Sequence, residues 1–223
     1  MFALVLLAST IAAGASYAHM APLGQYLIGD RKAEIALARS AAPAAISRSA
    51  TVLVLTEHGY ETAERGTNGF TCLVERSWDS PFDSPGFWNW RIRGPECYNP
   101  AASRTVLRMV LFRAKMAVAG ASKSQMLDRT RAAIAANAIA APELGSMSYM
   151  MSKQQYLGDG VKAWVPHLMV YTPKADSQDK GANWGADVDG SPVIFDTSTH
   201  VFPDPWTIMM IPVATWSDGS PAR

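Results

Sequence analysis

The chain has 223 residues, 48% of them hydrophobic and 17% charged, which suits one ordinary globular domain large enough to bury a core without a dense disulfide framework. Twenty Lys and Arg against nineteen Asp and Glu leave a formal net charge of +1, so no overall field draws the chain to nucleic acid or to an anionic membrane surface. No internal repeat or low-complexity tract suggests a solenoid or a disordered tail.

Residues 1–29 contain no Asp, Glu, Lys or Arg, and the apolar run over 2–13 has the length of a signal-peptide core, shorter than the roughly 20 residues of a membrane span. The small residues of "AAGASYA" offer cleavage after Ala15 or after Ala18. The expectation is a signal peptide over 1–18 and a mature domain over 19–223, periplasmic or secreted and off the membrane once cleaved. The pattern lacks a basic start, and a buried N-terminal helix is the competing reading.

Asp30 is placed to cap a short helix in "RKAEIALARSA", where Ile35 and Leu37 give a narrow apolar face and Pro43 follows the end. The stretch from 50 to 78 reads as a β-meander: a strand over 51–56, a turn at His58 and Gly59, a second short strand, a turn at Asn68 and Gly69, and a third strand through Cys72. In "SRTVLRMVLFRAKMAVAG" a helix places Val106, Leu107, Val110 and Leu111 on one face and arginines on the other, with Gly120 as its stop. A second helix starts at the capping box formed by Ser122 and Gln125 and ends before Pro142. Strand patterns return in "SYMMSKQQYL", "HLMVYT", "PVIFDT" and "WTIMMIPVATW". Segregated strands and helices predict a single α+β domain with a mostly antiparallel sheet and two or three helices.

The only two cysteines, Cys72 and Cys97, stand 25 positions apart with no histidine between them, a spacing unlike a short redox motif or a zinc knuckle. In an oxidising compartment they form a disulfide that closes the loop 72–97, for about 3–4 kcal/mol of stability in the chain-entropy model.

Several blocks, "EIALARSAAPAAIS", "GTNGFTCLVERSW" with the later "CYNP", "PHLMVYTP" with "NWGADVDGSPV", and "IPVATWSDG", resemble those of a family of exported bacterial proteins known only as uncharacterised. The resemblance spans nearly the whole mature chain. It implies export and carries no activity, ligand or site residue.

The cysteine loop concentrates Phe82, Phe87, Trp88 and Trp90 among Asp79, Asp83, Arg91 and Arg93. Flat rings beside charged hydrogen-bonding groups make Trp88, Trp90, Arg91 and Arg93 the candidate ligand contacts, whereas rings folded onto the body would simply pin an irregular loop. In "NWGADVDGSPVIFD" the residues Asp187, Asp189, Gly190 and Asp196 match an EF-hand register, but Gly185 occupies the first ligand position and the Asp-Gly-Ser-Pro run is also hairpin chemistry. Cleavage after Ala18 would make His19 the N-terminal residue, able to chelate copper with help from His58, His167 or His200. No serine elbow or zinc-protease helix is present, and the Ser177/Lys180 pair lies in a polar stretch. A catalytic His167 beside Asp187 or Glu75 is the remaining enzymatic candidate, since such partners meet in space. Met150, Met151, Met209 and Met210 read as core filling.

The function that follows is a non-enzymatic exported module binding a small molecule or protein, with the 72–97 loop as its contact surface. The alternatives are an extracytoplasmic hydrolase using His167 and carboxylates, and a copper or calcium protein; no cofactor motif is present.

Overall fold

The computed structural model describes residues 17–160, 164–174, 189–195 and 203–222. The cleavage point after Ala15, together with Gly185, Asp187, Asp196 and His200, lies outside them.

The Asp30 carboxylate accepts the backbone N–H groups of Lys32 (2.8 Å) and Ala33 (3.3 Å) and so starts α1 (Arg31–Arg39). The short α2 (Ala44–Ser47) follows Pro43, after which β1 (Thr51–Thr56) and β2 (Gly59–Glu64) form a hairpin turned at Gly59, whose φ of +108° suits glycine. The third strand departs from the expected meander. The strand β3 (Thr71–Glu75) lies on the other side of β1 and parallel to it, with Thr51 opposite Thr71 and Val52 opposite Cys72. Gly66 permits this crossing: a Cβ there would stand 2.2 Å from the backbone nitrogen of Thr51, so only a residue without one lets the chain pass over the head of β1.

After the aromatic loop, β4 (Gly94–Tyr98) pairs antiparallel with β3, and the sheet continues through β5 (Met147–Met150), β6 (His167–Pro173), β7 (Ile194–Phe195) and β8 (Trp206–Pro212). Among the described residues the eight strands run in the order β2-β1-β3-β4-β5-β6-β8-β7, antiparallel except for β1 and β3. Between β4 and β5 come α3 (Pro100–Arg104), α4 (Val106–Val118) and α5 (Lys123–Ala135), the last opened by the reciprocal Ser122/Gln125 capping box. This is a single α+β domain with a mostly antiparallel sheet. No helix among the described residues is long and apolar enough to cross a membrane.

The period-two alternation of β3 and β4 assigns their two faces. Cys72, Val74 and Cys97 face α1, where they pack with Ala38, Ala41 and Val52. Leu73 and Tyr98 face the opposite way and pack with Val106, Leu107, Met109 and Val110 of α4. Cys72 and Cys97 are direct register partners and form the disulfide, fully buried on the α1 side. On α4 the arginines do not share one polar face. Arg108 is exposed, but Arg113 is only 2% exposed, because steps of three and four from Val106, Met109 and Val110 bring it round to the buried stripe.

The loop between β3 and β4 turns its rings inward. Trp78, Phe82, Phe87 and Trp88 are buried against Tyr26 and against Ala114, Ala117 and Met126 of α4 and α5. Its first residue, Arg76, is wholly buried: it bonds Glu34 of α1 at 2.8 Å and the carbonyl of Tyr26 at 2.7 Å, tying helix, loop and N-terminal segment together.

Candidate functional site

Between the sheet and α4 lies a cavity of about 270 Å³. Strand parity supplies its floor: Glu75 from β3, Glu96 and Tyr98 from β4, Met150 from β5, His167, Met169 and Tyr171 from β6, and Trp206, Ile208 and Met210 from β8. Register lines these groups up across the sheet, with Tyr98 opposite Ser148, Ser148 opposite Met169, and Met169 opposite Met210. Val106, Met109, Val110 and Arg113 of α4 form the roof, and Asp79, from a 3-10 turn at Ser77–Asp79, closes one side. The walls are mostly apolar and aromatic, the usual setting in which a few polar groups fix a small ligand.

Two of the carboxyl groups that line it come from neighbouring strands. Glu75 and Glu96 stand within hydrogen-bonding reach of each other. The Tyr98 hydroxyl donates to Glu75 Oε1, and the Tyr171 hydroxyl donates to Glu96 Oε1 at 2.6 Å while lying 3.0 Å from Ser148 Oγ. Burial, followed by the neighbouring charges of Glu96 and Asp79, pushes the Glu75 carboxyl well above the usual range. Burial also raises Glu96, but the hydrogen bonds it receives from Ser148, Tyr171 and Glu75 oppose that rise. Burial therefore favours the protonated form at both carboxyls, more strongly at Glu75. Two like charges so close cannot both ionise, and one proton between them relieves the conflict. Burial lifts both tyrosines well above their ordinary values, which keeps them as donors.

Around this pair stand three further polar groups. Arg113 donates to Asp204 Oδ1 at 2.7 Å, a buried ion pair at the cavity wall, and to the backbone carbonyl of Asp79 at 3.3 Å. Asp79 accepts a long hydrogen bond from the Arg76 N–H at 3.5 Å through Oδ2, while its Oδ1 is buried without a partner. Burial first, with Arg113 and the Arg76 N–H opposing it, pushes the Asp79 carboxyl up to about 8. His167, 2% exposed, has Nδ1 2.8 Å from the carbonyl oxygen of Val165 and its ring against Trp164 at 4.6 Å between centroids. A carbonyl can only accept, so Nδ1 carries the hydrogen and Nε2 keeps its lone pair; burial lowers the pKa and holds the ring neutral.

Of the enzymatic candidates, His167 and Glu75 line this one cavity, and Asp187 lies outside the described residues. The loop candidates do not converge. Trp88 is 4% exposed, its carbonyl holds the Tyr26 hydroxyl at 2.8 Å, and its ring meets Phe87 edge-on at 4.8 Å; the rest of its surface borders an open cleft with Leu23 and Lys123. Trp90 is 38% exposed. Arg91 reaches Asp159 and lies over the Tyr156 ring, and Arg93 is occupied by the carbonyls of Trp90, Ile92 and Gln25. For the metal readings, no group of three or more His, Cys, Asp or Glu side chains among the described residues is placed to hold an ion.

Sequence reasoning missed Glu96, Tyr98, Tyr171, Arg113 and Asp204 as site residues, and saw Asp79 only as part of the loop. One signal was there: in "GPECY" a glutamate precedes the bridged cysteine in a strand that buries all five residues. A carboxyl in such a strand needs a buried partner or a proton. Comparison with family models, curated proteins and solved structures yields no match, so the reading of this cavity rests on its own chemistry.

Proposed function

We propose that the chain is a hydrolase of small, largely apolar substrates, acting by general acid–base catalysis through Glu75 and Glu96. The observation that carries this reading is the carboxyl pair lining a largely apolar cavity, each member held by a tyrosine. In the reaction Glu96 takes a proton from a water molecule as that oxygen attacks an acyl carbon, and Glu75 gives its proton to the leaving nitrogen or oxygen as the carbon–heteroatom bond breaks. The proton gained by Glu96 then returns to Glu75 across the short path between them. Tyr98 and Tyr171 hold the two carboxyls in position, and His167 Nε2 offers an acceptor to the substrate. A volume of 270 Å³ lies at the small end of ligand sites and admits a compact group, not a polymer.

In this proposal the chain acts outside the cytoplasm. Support comes from the Cys72–Cys97 disulfide, from the charge-free start of the sequence and from the resemblance to exported bacterial proteins. A non-catalytic binding role for the same cavity is the second reading, favoured by the buried Asp79 Oδ1, which has no hydrogen-bond partner, at its wall.

The test is turnover of a panel of small fluorogenic amides, esters and glycosides by the disulfide-bonded chain, alongside Glu75→Gln and Glu96→Gln. Loss of roughly 10²-fold or more in kcat by each folded variant is expected. A Glu96→Gln protein within twofold of the parent would refute the mechanism, and a parent inert toward every class would leave the cavity as a binding site.

A further inference from the structure

We infer that Asp79 is a third acting carboxyl in this cavity, a catalytic residue whose Oδ1–H hydrogen-bonds the acyl oxygen of a small ester or amide substrate. The inference rests on the reading of the cavity as a hydrolase site and adds the residue that meets the charge developed in the reaction.

The acid–base pair leaves one demand of that reaction unmet. As water attacks, an electron pair of the acyl double bond moves onto its oxygen, while Glu96 and Glu75 handle the proton from water and the leaving group. A donor fixed at that oxygen holds the charge until the carbonyl forms again, and no proton has to be transferred to it. The two tyrosine hydroxyls are already directed at Glu75 and Glu96. The Arg113 guanidinium is paired with Asp204 and stands 4.8 Å from the Phe82 ring centre. Among the described residues that line the cavity, the buried side-chain polar atoms without a hydrogen bond are Asp79 Oδ1 and Arg113 Nε. Buried polar groups in native proteins nearly always have partners, so Oδ1 at the wall is the place where a ligand group completes the bonding of Asp79.

The neighbours of Asp79 decide that it donates. Oδ2 accepts the Arg76 N–H at 3.5 Å, which leaves Oδ1 to carry the hydrogen of the acid. Arg113 reaches the backbone carbonyl of this residue and forms its ion pair with Asp204, so a charge on the Asp79 carboxyl would be buried with one long hydrogen bond to support it. Burial pushes the carboxyl up to about 8, with Glu96 and Asp204 adding to the rise and Arg113 and the Arg76 N–H opposing it, so the proton is in place at neutral pH. Asp79 also bears on Glu75 of β3 and on Tyr60 of β2, and the three carboxyls Glu75, Glu96 and Asp79 line one small volume. A carboxylic acid kept neutral by an apolar site is an effective donor to a developing oxyanion. A glycoside has no carbonyl oxygen to meet it, which narrows the substrates to esters and amides.

The probe is acetophenone, a compact ketone that the chain can hold but not hydrolyse, followed by the infrared stretch of its bound carbonyl in the disulfide-bonded protein. A hydrogen bond at the oxygen lowers that frequency. It should be lower in the parent and in Asp79→Asn, whose carboxamide N–H can take the same place, than in Asp79→Leu. As pH rises through about 8, the parent's frequency should climb while that of Asp79→Asn stays level. With a small ester, Asp79→Leu should lose roughly 10²-fold or more in kcat with little change in KM, and Asp79→Asn should stay within about tenfold of the parent at neutral pH. Should Asp79→Leu fail to fold, the pH series of the parent and Asp79→Asn decides. A frequency indifferent to Asp79→Leu, a parent frequency unmoved as the pH passes about 8, no acetophenone binding at millimolar concentration, or turnover of glycosides in preference to esters and amides overturns the inference. Turnover lost in Glu96→Gln beside a carbonyl indifferent to Asp79 would leave the hydrolase reading intact and remove this assignment. An Asp79-dependent carbonyl in a chain without any turnover would sink the hydrolase reading and keep Asp79 as the donor to a bound carbonyl.

Discussion

Replacing Asp79 by Asn should make the protein more stable at neutral and alkaline pH, the reverse of what removing half of an ion pair does. The Asp79 carboxyl is raised from 3.8 to about 8, chiefly by burial. Between those values the unfolded chain has released the proton and the folded one still holds it, so stability falls as pH rises through this window and levels off above about 8. A tenfold difference in proton affinity between the folded and unfolded chain is worth about 1.4 kcal/mol, which puts the upper bound at roughly 6 kcal/mol. Coupling to Glu96 and Asp204 and the relaxation of real sites cut this to about 1–3 kcal/mol. The Asn carboxamide keeps an acceptor for the Arg76 N–H and removes the ionisation. Urea unfolding with the disulfide intact, at several pH values from roughly 4.5 to 9, should show parent and variant nearly equal at the acid end and the variant ahead by about 1–3 kcal/mol at about pH 8. Parallel curves would refute the argument. A variant weaker by several kcal/mol at that pH would do so more sharply, since it would mean that Asp79 is ionised and paired with Arg113.

The remaining expectations test the frame around the cavity. Trp88→Ala should cost about 3–5 kcal/mol through the hole left against Phe87, whereas Trp90→Ala, at a site 38% exposed, should change the unfolding free energy by no more than about half a kcal/mol; equal costs would show that the loop is not anchored as described. Thiol titration of the unfolded, unreduced protein should find no free sulfhydryl, and changing both Cys72 and Cys97 to Ser should cost about 2–5 kcal/mol in the same unfolding assay; an unchanged midpoint would remove the disulfide from the account of stability.

Local signals are legible in the sequence, and non-local ones are not. The Asp30 cap, the Ser122/Gln125 box, the hairpin turn at Gly59 and the apolar stripe of α4 each depend on neighbours within four residues, and each is where the residue pattern predicts. The placement of β3 escapes the pattern because Gly66 reads as an ordinary loop residue; its close approach to Thr51 exists only in three dimensions. Arg113 reads as solvent-facing because an arginine usually is, and its burial depends on Asp204, 91 positions away in sequence. His167 and Glu75 could be named as candidates by residue type alone. For Glu96 the run "GPECY" signals a carboxyl beside the bridged cysteine, but nothing local to it shows that Tyr171 and Ser148 will stand beside it.

The aromatic-rich loop between the cysteines then has a structural purpose that follows from parity. Cys72 faces Cys97 on the α1 side, and one step further Leu73 faces Glu96 on the α4 side, so the crosslink fixes the register that also carries Glu75 and Glu96 to the cavity. A slip of one residue between β3 and β4 would turn one of the two carboxyls toward α1 and part it from the other. The chain leaving β3 has to stay close to α4, because Asp79 must reach the cavity wall and its carbonyl must receive Arg113. Trp78, Phe82 and Phe87 hold it there by burying their rings against that helix and its neighbours, with the Arg113 guanidinium 4.8 Å from the Phe82 ring centre. The rings hold Asp79 at the cavity edge, and the loop that reads as a binding surface in sequence forms one wall of the cavity behind it.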